Sequence, residues 1–287
     1  MDSRATALNA SWFRSSPGAS RHLLPNREKE KRAVGNSLEP ADARDRTDAV
    51  KPASGHPVPS ISVRFWPIQL PEMVNPADFA LLDGREAARA RRFVRPEHAA
   101  RFVAGRAALR RALGSMIGAE PGHVPLNEAE AGRPELDGAQ PPLHFNVSHS
   151  GGIAVIALCR EARIGVDVER LAWVERDLVE RFFSPAEQAA LAALPEDQWQ
   201  RSFYRCWTRK EAFVKGLGHG LLLPLDAFDV AIGETPALLR CDFAPVQDWT
   251  LAPLPAGAGY EAVAAIEARG APVSIEIRPG SEIGPGA

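Results

Sequence analysis

Three short apolar runs stand close together near the middle of this chain, at 143–147, 153–159 and 164–168. The second and third are rich in β-branched residues, the first holds Leu143, Phe145 and Val147 in alternation, and all are bounded by turn-forming residues. Gly151-Gly152 follows the first run and Arg160-Glu161-Ala162-Arg163 follows the second, so all three read as strands. Joined by such tight turns, they predict an antiparallel meander. Helical patterns flank them. Upstream, a helix is expected over about 83–93, and another begins at Pro96, where Phe102, Leu109, Leu113 and Met116 recur at helical spacing down to a turn at 118–122. Gly105 lies inside that second helix, where glycine costs about 1 kcal/mol relative to alanine. Downstream, Ser184-Pro185-Ala186-Glu187 carries an N-cap, a first-turn proline and a glutamate three residues on. A long helix is then expected over about 197–217, stopped by Gly216, Gly218 and Gly220. A first strand through Ile61, Val63, Phe65 and Pro67, and later strands at 228–232, 238–243, 249–252, 261–266 and 273–277, complete an α+β pattern. No internal repeat is visible in the sequence.

The apolar material is unevenly spread. Of 287 residues 45% are hydrophobic, but 1–58 contribute little and read as a disordered extension. That stretch has no apolar run long enough for a signal peptide, and no segment is suited to span a membrane. Cys159, Cys206 and Cys241 are odd in number and widely spaced, which suits free buried thiols in a reducing, cytoplasmic setting. A net charge of -2 argues against a nucleic-acid binder. Locally, nine arginines (85, 89, 91, 92, 95, 101, 106, 110, 111) face two acids, Glu86 and Glu97. They read either as a solvated helical face or as a patch for phosphates or an acidic protein.

Chemistry is concentrated in three segments. In Asp167-Val168-Glu169 the two acids lie two apart on a strand, so they share a face and can share one hard cation. Glu211, within Trp207-Thr208-Arg209-Lys210-Glu211-Ala212-Phe213-Val214-Lys215, would be the third carboxylate, placed at the core margin by Trp207 one turn earlier. Arg133, Ser148, His149 and Lys215 are groups able to hold or protonate phosphate oxygens, and a cationic His149 would add charge. Together they suggest metal-assisted phosphoryl chemistry on a large anionic substrate. Plainer readings stand beside these: a solvated strand edge for Asp167 and Glu169, a surface ion pair for Glu211 and Lys215, and a capping role for Glu187, which could also join the metal's outer shell. Ser148-His149 is not read as a hydrolase pair, because adjacent strand residues point to opposite faces.

These motifs resemble the 4'-phosphopantetheinyl transferases of the Sfp type. The resemblance rests, in order, on Gly132-Arg133-Pro134, Phe145-Asn146-Val147-Ser148-His149-Ser150, Gly165-Val166-Asp167-Val168-Glu169, Phe182-Phe183-Ser184-Pro185-Ala186-Glu187 and the segment from Trp207 to Lys215, and it spans about 61–232. It implies a fold of two similar α/β halves in pseudo-twofold arrangement, here 59–170 and 171–280, and the residues after them, 281–287, read from the sequence as a loose tail. The implied reaction moves the phosphopantetheine arm of coenzyme A to a serine of an apo acyl or peptidyl carrier protein, releasing adenosine 3',5'-bisphosphate. The implied metal is Mg²⁺, with Mn²⁺ as an alternative, held by Asp167, Glu169 and Glu211. Glu211 would take the serine proton, directly or through a water, with Lys215 and Asp167 completing the catalytic set. Arg89, Arg133, Ser148, His149 and Lys215 would hold coenzyme A. Glu86 and Phe102 depart from the residues some relatives carry. A monomer is expected. A phosphodiesterase acting on coenzyme A, or a non-catalytic coenzyme A or carrier-binding module, is the rival expectation.

Overall fold

A computed structural model describes residues 60–129, 133–138, 141–218 and 223–287; the extension expected over 1–58 lies outside them, as do Gly132 and Gly220. All described residues belong to one compact unit. The elements are β1 (Ile61–Gln69), α1 (Pro76–Ala80), α2 (Gly84–Arg91), α3 (Pro96–Ile117), β2 (Leu126–Glu128), β3 (Pro134–Leu136), β4 (His144–Ser150), β5 (Ile153–Cys159) and β6 (Ile164–Arg170). They continue with α4 (Asp177–Phe182), α5 (Pro185–Ala192), α6 (Glu196–Leu217), β7 (Phe228–Val230), β8 (Leu238–Cys241), β9 (Trp249–Pro253), β10 (Tyr260–Glu267) and β11 (Val273–Ile277). The mixed α+β class is as expected.

One sheet has the order β11-β1-β5-β4 and another the order β6-β10-β9, with β2-β3 and β7-β8 as two-stranded ribbons. All pairings are antiparallel except that of β1 with β11. The meander is therefore only half right. β4 and β5 pair, but both edges of β5 are taken, by β1 and β4, so β6 crosses to the second sheet and pairs with β10. The change of sheet falls at Ile164, ahead of the expected boundary at 170, and β11 returns to the first sheet.

Strand alternation sorts the side chains into three layers. Ile61, Val63 and Phe65 of β1 meet Val155 and Ala157 of β5 and Ile164, Val166 and Val168 of β6 in a core between the sheets. Trp66, Ile68, Ile156 and Leu158 turn the other way, onto Leu109 and Leu113 of α3. Val263 and Ala265 of β10 pack beneath α6, with Phe203, Trp207, Phe213 and Trp249.

The chain uses one plan twice. A strand, two short helices, a 22-residue helix, a ribbon and two strands run from β1 to β5, and the same order runs from β6 to β10, giving strand orders β1-β5-β4 and β6-β10-β9. Both long helices end on a glycine in the left-handed region, Gly118 at φ 71 and Gly218 at φ 76, where a side chain would be strained. α3 runs unbroken through Gly105.

Two expectations are corrected here. The tail is docked, not loose: Ile283 is buried against the α3 core, and Arg111 donates to the carbonyls of Ile283 and Gly284 at 3.4 and 3.1 Å. The arginine run is also not one surface. Arg106 and Arg110 are buried, Arg110 donating to Glu86 at 2.8 Å, and Arg111 pairs with buried Asp78 at 2.6 Å. Arg85, Arg91, Arg92 and Arg95 remain exposed.

Candidate functional site

The site forms where α6 crosses β6 and where β4, the edge of the first sheet, runs beside β6, the edge of the second. Gly165 sets the first approach. A Cβ on Gly165 would lie 2.0 Å from the Ala212 carbonyl oxygen and 2.2 Å from the Gly216 nitrogen, so only glycine lets strand and helix backbones touch. Asp167 and Glu169 follow on the same face of β6, and Glu211 and Lys215 lie one turn apart on α6, flanking Ala212 and Gly216. Trp207, buried with Phe182, Phe183 and Phe203, fixes the helix one turn before Glu211.

The β4–β6 seam is made by side chains, since the two strands belong to different sheets. Asn146 Oδ1 accepts from the Val166 N–H at 3.0 Å, Ser148 Oγ donates to Asp167 Oδ1 at 2.8 Å, and Ser150 Oγ donates to Glu169 Oε2 at 2.7 Å. Lys215 Nζ closes a triangle, 2.6 Å from Asp167 Oδ1 and 3.0 Å from Ser148 Oγ.

Asp167, Glu169 and Glu211 are all buried, with relative exposures of 3%, 6% and 6%. A carboxylate pays for burial in its ionised form, so its pKa rises. Burial, followed by the charge of Asp167, pushes Glu169 up to about 8. Asp167 is raised as well, burial outweighing the ammonium of Lys215. Burial alone would lower Lys215, but Asp167 and Glu211 reverse that and hold it above the ordinary lysine value, so it is cationic at neutral pH. Among the described residues no three acid, histidine or cysteine side chains stand as a ready-made metal cage. Asp167 Oδ2 is nevertheless buried without a hydrogen-bond partner.

The expected phosphate groups do not all share this place. Ser148 faces the carboxylates, whereas His149, the next residue, faces the α3 side with Val147 and Phe145. Burial, reinforced by the charges of Lys215, Arg101 and His98, lowers His149 to about 4, so the expected cationic histidine is neutral at physiological pH. Arg101 and His98 had no motif to mark them; Arg101 Nε is buried without a hydrogen-bond partner in the structure. Arg133 pairs with Glu135 at 2.7 Å and reaches the end of α6, since a Cβ on Gly218 would meet its Nη1 at 3.3 Å. Arg89 pairs with Glu128 and lies over the Phe102 ring, which Arg106 also approaches. Glu187 is a scaffold group: it completes the α5 capping box, its Oε2 lies 2.7 Å from buried Lys210 and its Oε1 accepts from the Val230 N–H. Ser150 and Asn146 were also missed, although the alternating Asn146, Ser148 and Ser150 of β4 are the signal that could have found them.

A family model described as "4'-phosphopantetheinyl transferase superfamily" matches residues 163–265, and one described as "4'-phosphopantetheinyl transferase, N-terminal" matches 75–161. The chain is 40% identical over 188 residues to the 4'-phosphopantetheinyl transferase HetI of Nostoc sp., covering 63% of this chain and 79% of that one. It is 37% identical over 155 residues to a 4'-phosphopantetheinyl transferase of Bacillus subtilis, covering 54% and 68%. It is 33% identical over 144 residues to 4'-phosphopantetheinyl transferase Sfp of Bacillus subtilis strain 168, covering 50% and 63%.

Proposed function

This chain belongs to the 4'-phosphopantetheinyl transferase superfamily, and on that premise we propose that Asp167, Glu169, Glu211 and Lys215 carry its reaction. The enzyme transfers the phosphopantetheine arm of coenzyme A to a serine of an apo carrier protein. The observation that carries the residue assignment is the buried Lys215–Asp167–Ser148 triangle beside Glu169, with Asp167 Oδ2 unpartnered. An unpaired buried carboxylate oxygen is costly, and two buried carboxylates side by side repel, so this donor set suits a hard divalent cation whose remaining ligands are water and phosphate oxygens. Mg²⁺, or Mn²⁺ in its place, fits Asp167, Glu169 and Glu211. When bound, it supplies neutralising charge at the pyrophosphate.

The acceptor serine oxygen attacks the β-phosphorus of coenzyme A, a new P–O bond forms, and the bond to the bridging oxygen breaks as adenosine 3',5'-bisphosphate leaves. Glu211 takes the serine proton. Cationic Lys215 faces the departing phosphate and stabilises its charge, while Ser148 holds Lys215 and Asp167 in register. Arg89 and Arg101 on the α3 side and Arg133 at the end of α6 would pair with the nucleotide phosphates, and neutral His149 would contribute a ring N–H rather than charge. One chain provides every group in this scheme, which supports action as a monomer. The three thiols are free, which supports a cytoplasmic setting.

The test is release of adenosine 3',5'-bisphosphate from coenzyme A, followed by chromatography. Release that needs both apo carrier and metal is expected. Release without carrier would replace this reading with the phosphodiesterase.

A further inference from the structure

The two serines of the β4–β6 seam are not equivalent, and the difference points to a role for Ser150. Each hydroxyl accepts from one donor and gives its single hydrogen to a carboxylate. For Ser148 the donor is the Lys215 ammonium at 3.0 Å, on a long side chain with several rotatable bonds. For Ser150 the donor is the backbone N–H of Arg170 at 3.1 Å, fixed by the β6 strand itself. With its oxygen receiving that N–H, the Ser150 hydrogen is directed at Glu169 Oε2, 2.7 Å away. Ser150 and Glu169 are both buried, so water does not compete for this bond.

We propose that Ser150 is a positioning residue that anchors Glu169 through Oε2 and thereby presents its other oxygen to the divalent cation. The inference rests on the metal reading above and deepens it. A carboxylate on a two-bond side chain beyond Cβ has several orientations, and a fixed donor on one oxygen selects one of them. Removing such an outer partner typically costs about 10–100-fold in metal affinity. Ser148 has a different task, since its partner Lys215 also serves the departing phosphate.

The experiment is titration of the full chain with Mn²⁺ in the presence of coenzyme A and the absence of carrier, with free Mn²⁺ read by electron paramagnetic resonance. Ser150→Ala is expected to raise the Mn²⁺ Kd about tenfold or more, with metal-free coenzyme A binding retained, and Ser150→Thr, which keeps the hydroxyl, is expected to restore the wild-type Kd. An unchanged Kd in Ser150→Ala overturns the proposal, as does loss of metal-free coenzyme A binding, which would make Ser150 a general structural residue. Should Ser150→Ala not fold, Ser150→Cys replaces it: a weakened Kd beside a normal Ser150→Thr supports the role, and equal values overturn it. If wild-type protein itself takes up no Mn²⁺, the metal reading fails along with the inference; if only the variants fail to differ, that reading stands and Ser150 alone is excluded.

Discussion

The two halves of this molecule share a scaffold and differ in what they place on it. α3 and α6 are equally long, and each is preceded by a short helix with a complete capping box, Asp83 with Glu86 and Ser184 with Glu187. In both halves the capping glutamate reaches a buried cation at the matching place on the long helix: Glu86 meets Arg110 at 2.8 Å, and Glu187 meets Lys210 at 2.7 Å. The next residue separates them. Arg111 turns to Asp78 and the docked tail, whereas Glu211 faces the site. The strands differ in the same way. Against α3, β1 sets Trp66 and Ile68; against α6, β6 sets Gly165, Asp167 and Glu169. One half thus spends the face between its long helix and first strand on apolar packing, and the other leaves that face polar around a glycine contact while β10 supplies the apolar packing beneath α6. A duplicated scaffold can therefore carry a buried acidic site on one strand of one copy, because the neighbouring strand β10 keeps an apolar core beneath the same helix.

That contrast breaks most sharply at Glu211. Glu211→Gln should lower transfer by about 10²–10⁴-fold while coenzyme A binding persists, and Arg111→Gln, its counterpart, should lower stability and leave the rate of the folded fraction little changed. Turnover beside calorimetry on both variants decides it; equal loss of transfer would show that the halves are not divided in this way.

The shared cations come next. Lys210→Met should cost about 3–5 kcal/mol in denaturant unfolding, because it strands buried Glu187 without its cation, and Arg110→Met should cost less, because Arg106 stays 3.8 Å from Glu86. A large cost in one half and none in the other would mean that the matching pairs do not do matching work.

Gly165→Ala should cost roughly 3 kcal/mol or more and reduce transfer, since the added methyl meets backbone at 2.0 Å. Gly84→Ala, at the start of α2 with nothing within 4 Å, should instead stabilise by about 0.4–1 kcal/mol. Thermal unfolding of the two variants measures the difference directly.

The smallest effect concerns the junction between halves. Arg163, just before β6, donates to Glu267 at 2.6 Å and to the Leu217 carbonyl at the end of α6. The Arg163 hydrogen bond holds Glu267 down to about 2 from an ordinary 4.5. A depressed acid stabilises the fold above its unfolded value, and that stability is lost as pH falls from about 4.5 toward 2. Arg163 is partly exposed, so screening keeps the effect modest. Glu267→Gln should flatten this part of the stability profile; an unchanged acid limb would remove Arg163 and Glu267 from the junction.

Much of this was legible in local sequence. Ser184-Pro185-Ala186-Glu187 caps a helix because each residue acts within one turn, and the 197–217 periodicity marks α6 because its apolar face is long. Asp167, Glu169, Glu211 and Lys215 could be linked because strand and helix periods each place their pair on one face. Long-range facts were not legible. The partner of β6 is β10, nearly a hundred residues on, and nothing in Ile164–Arg170 says that β5 is already paired on both edges. The repeat is hidden because the halves share caps and topology but not side chains. Arg106 and Arg110 read as surface charge because their partners, Glu86 and Glu128, meet them only after folding. Ser148 and His149 read as one phosphate group, although the alternation rule that set aside a hydrolase pair also separates their faces.

The most direct test of the central claim is intact-mass spectrometry of an apo carrier protein incubated with coenzyme A, Mg²⁺ and either wild-type protein or Glu211→Gln. A mass gain of one phosphopantetheine arm with wild type, abolished by chelator and far smaller with Glu211→Gln at a time when wild type has modified all of the carrier, is the predicted result. A gain of the same size with Glu211→Gln, or one that persists in chelator, would contradict an acidic metal site in the second half as the seat of the chemistry.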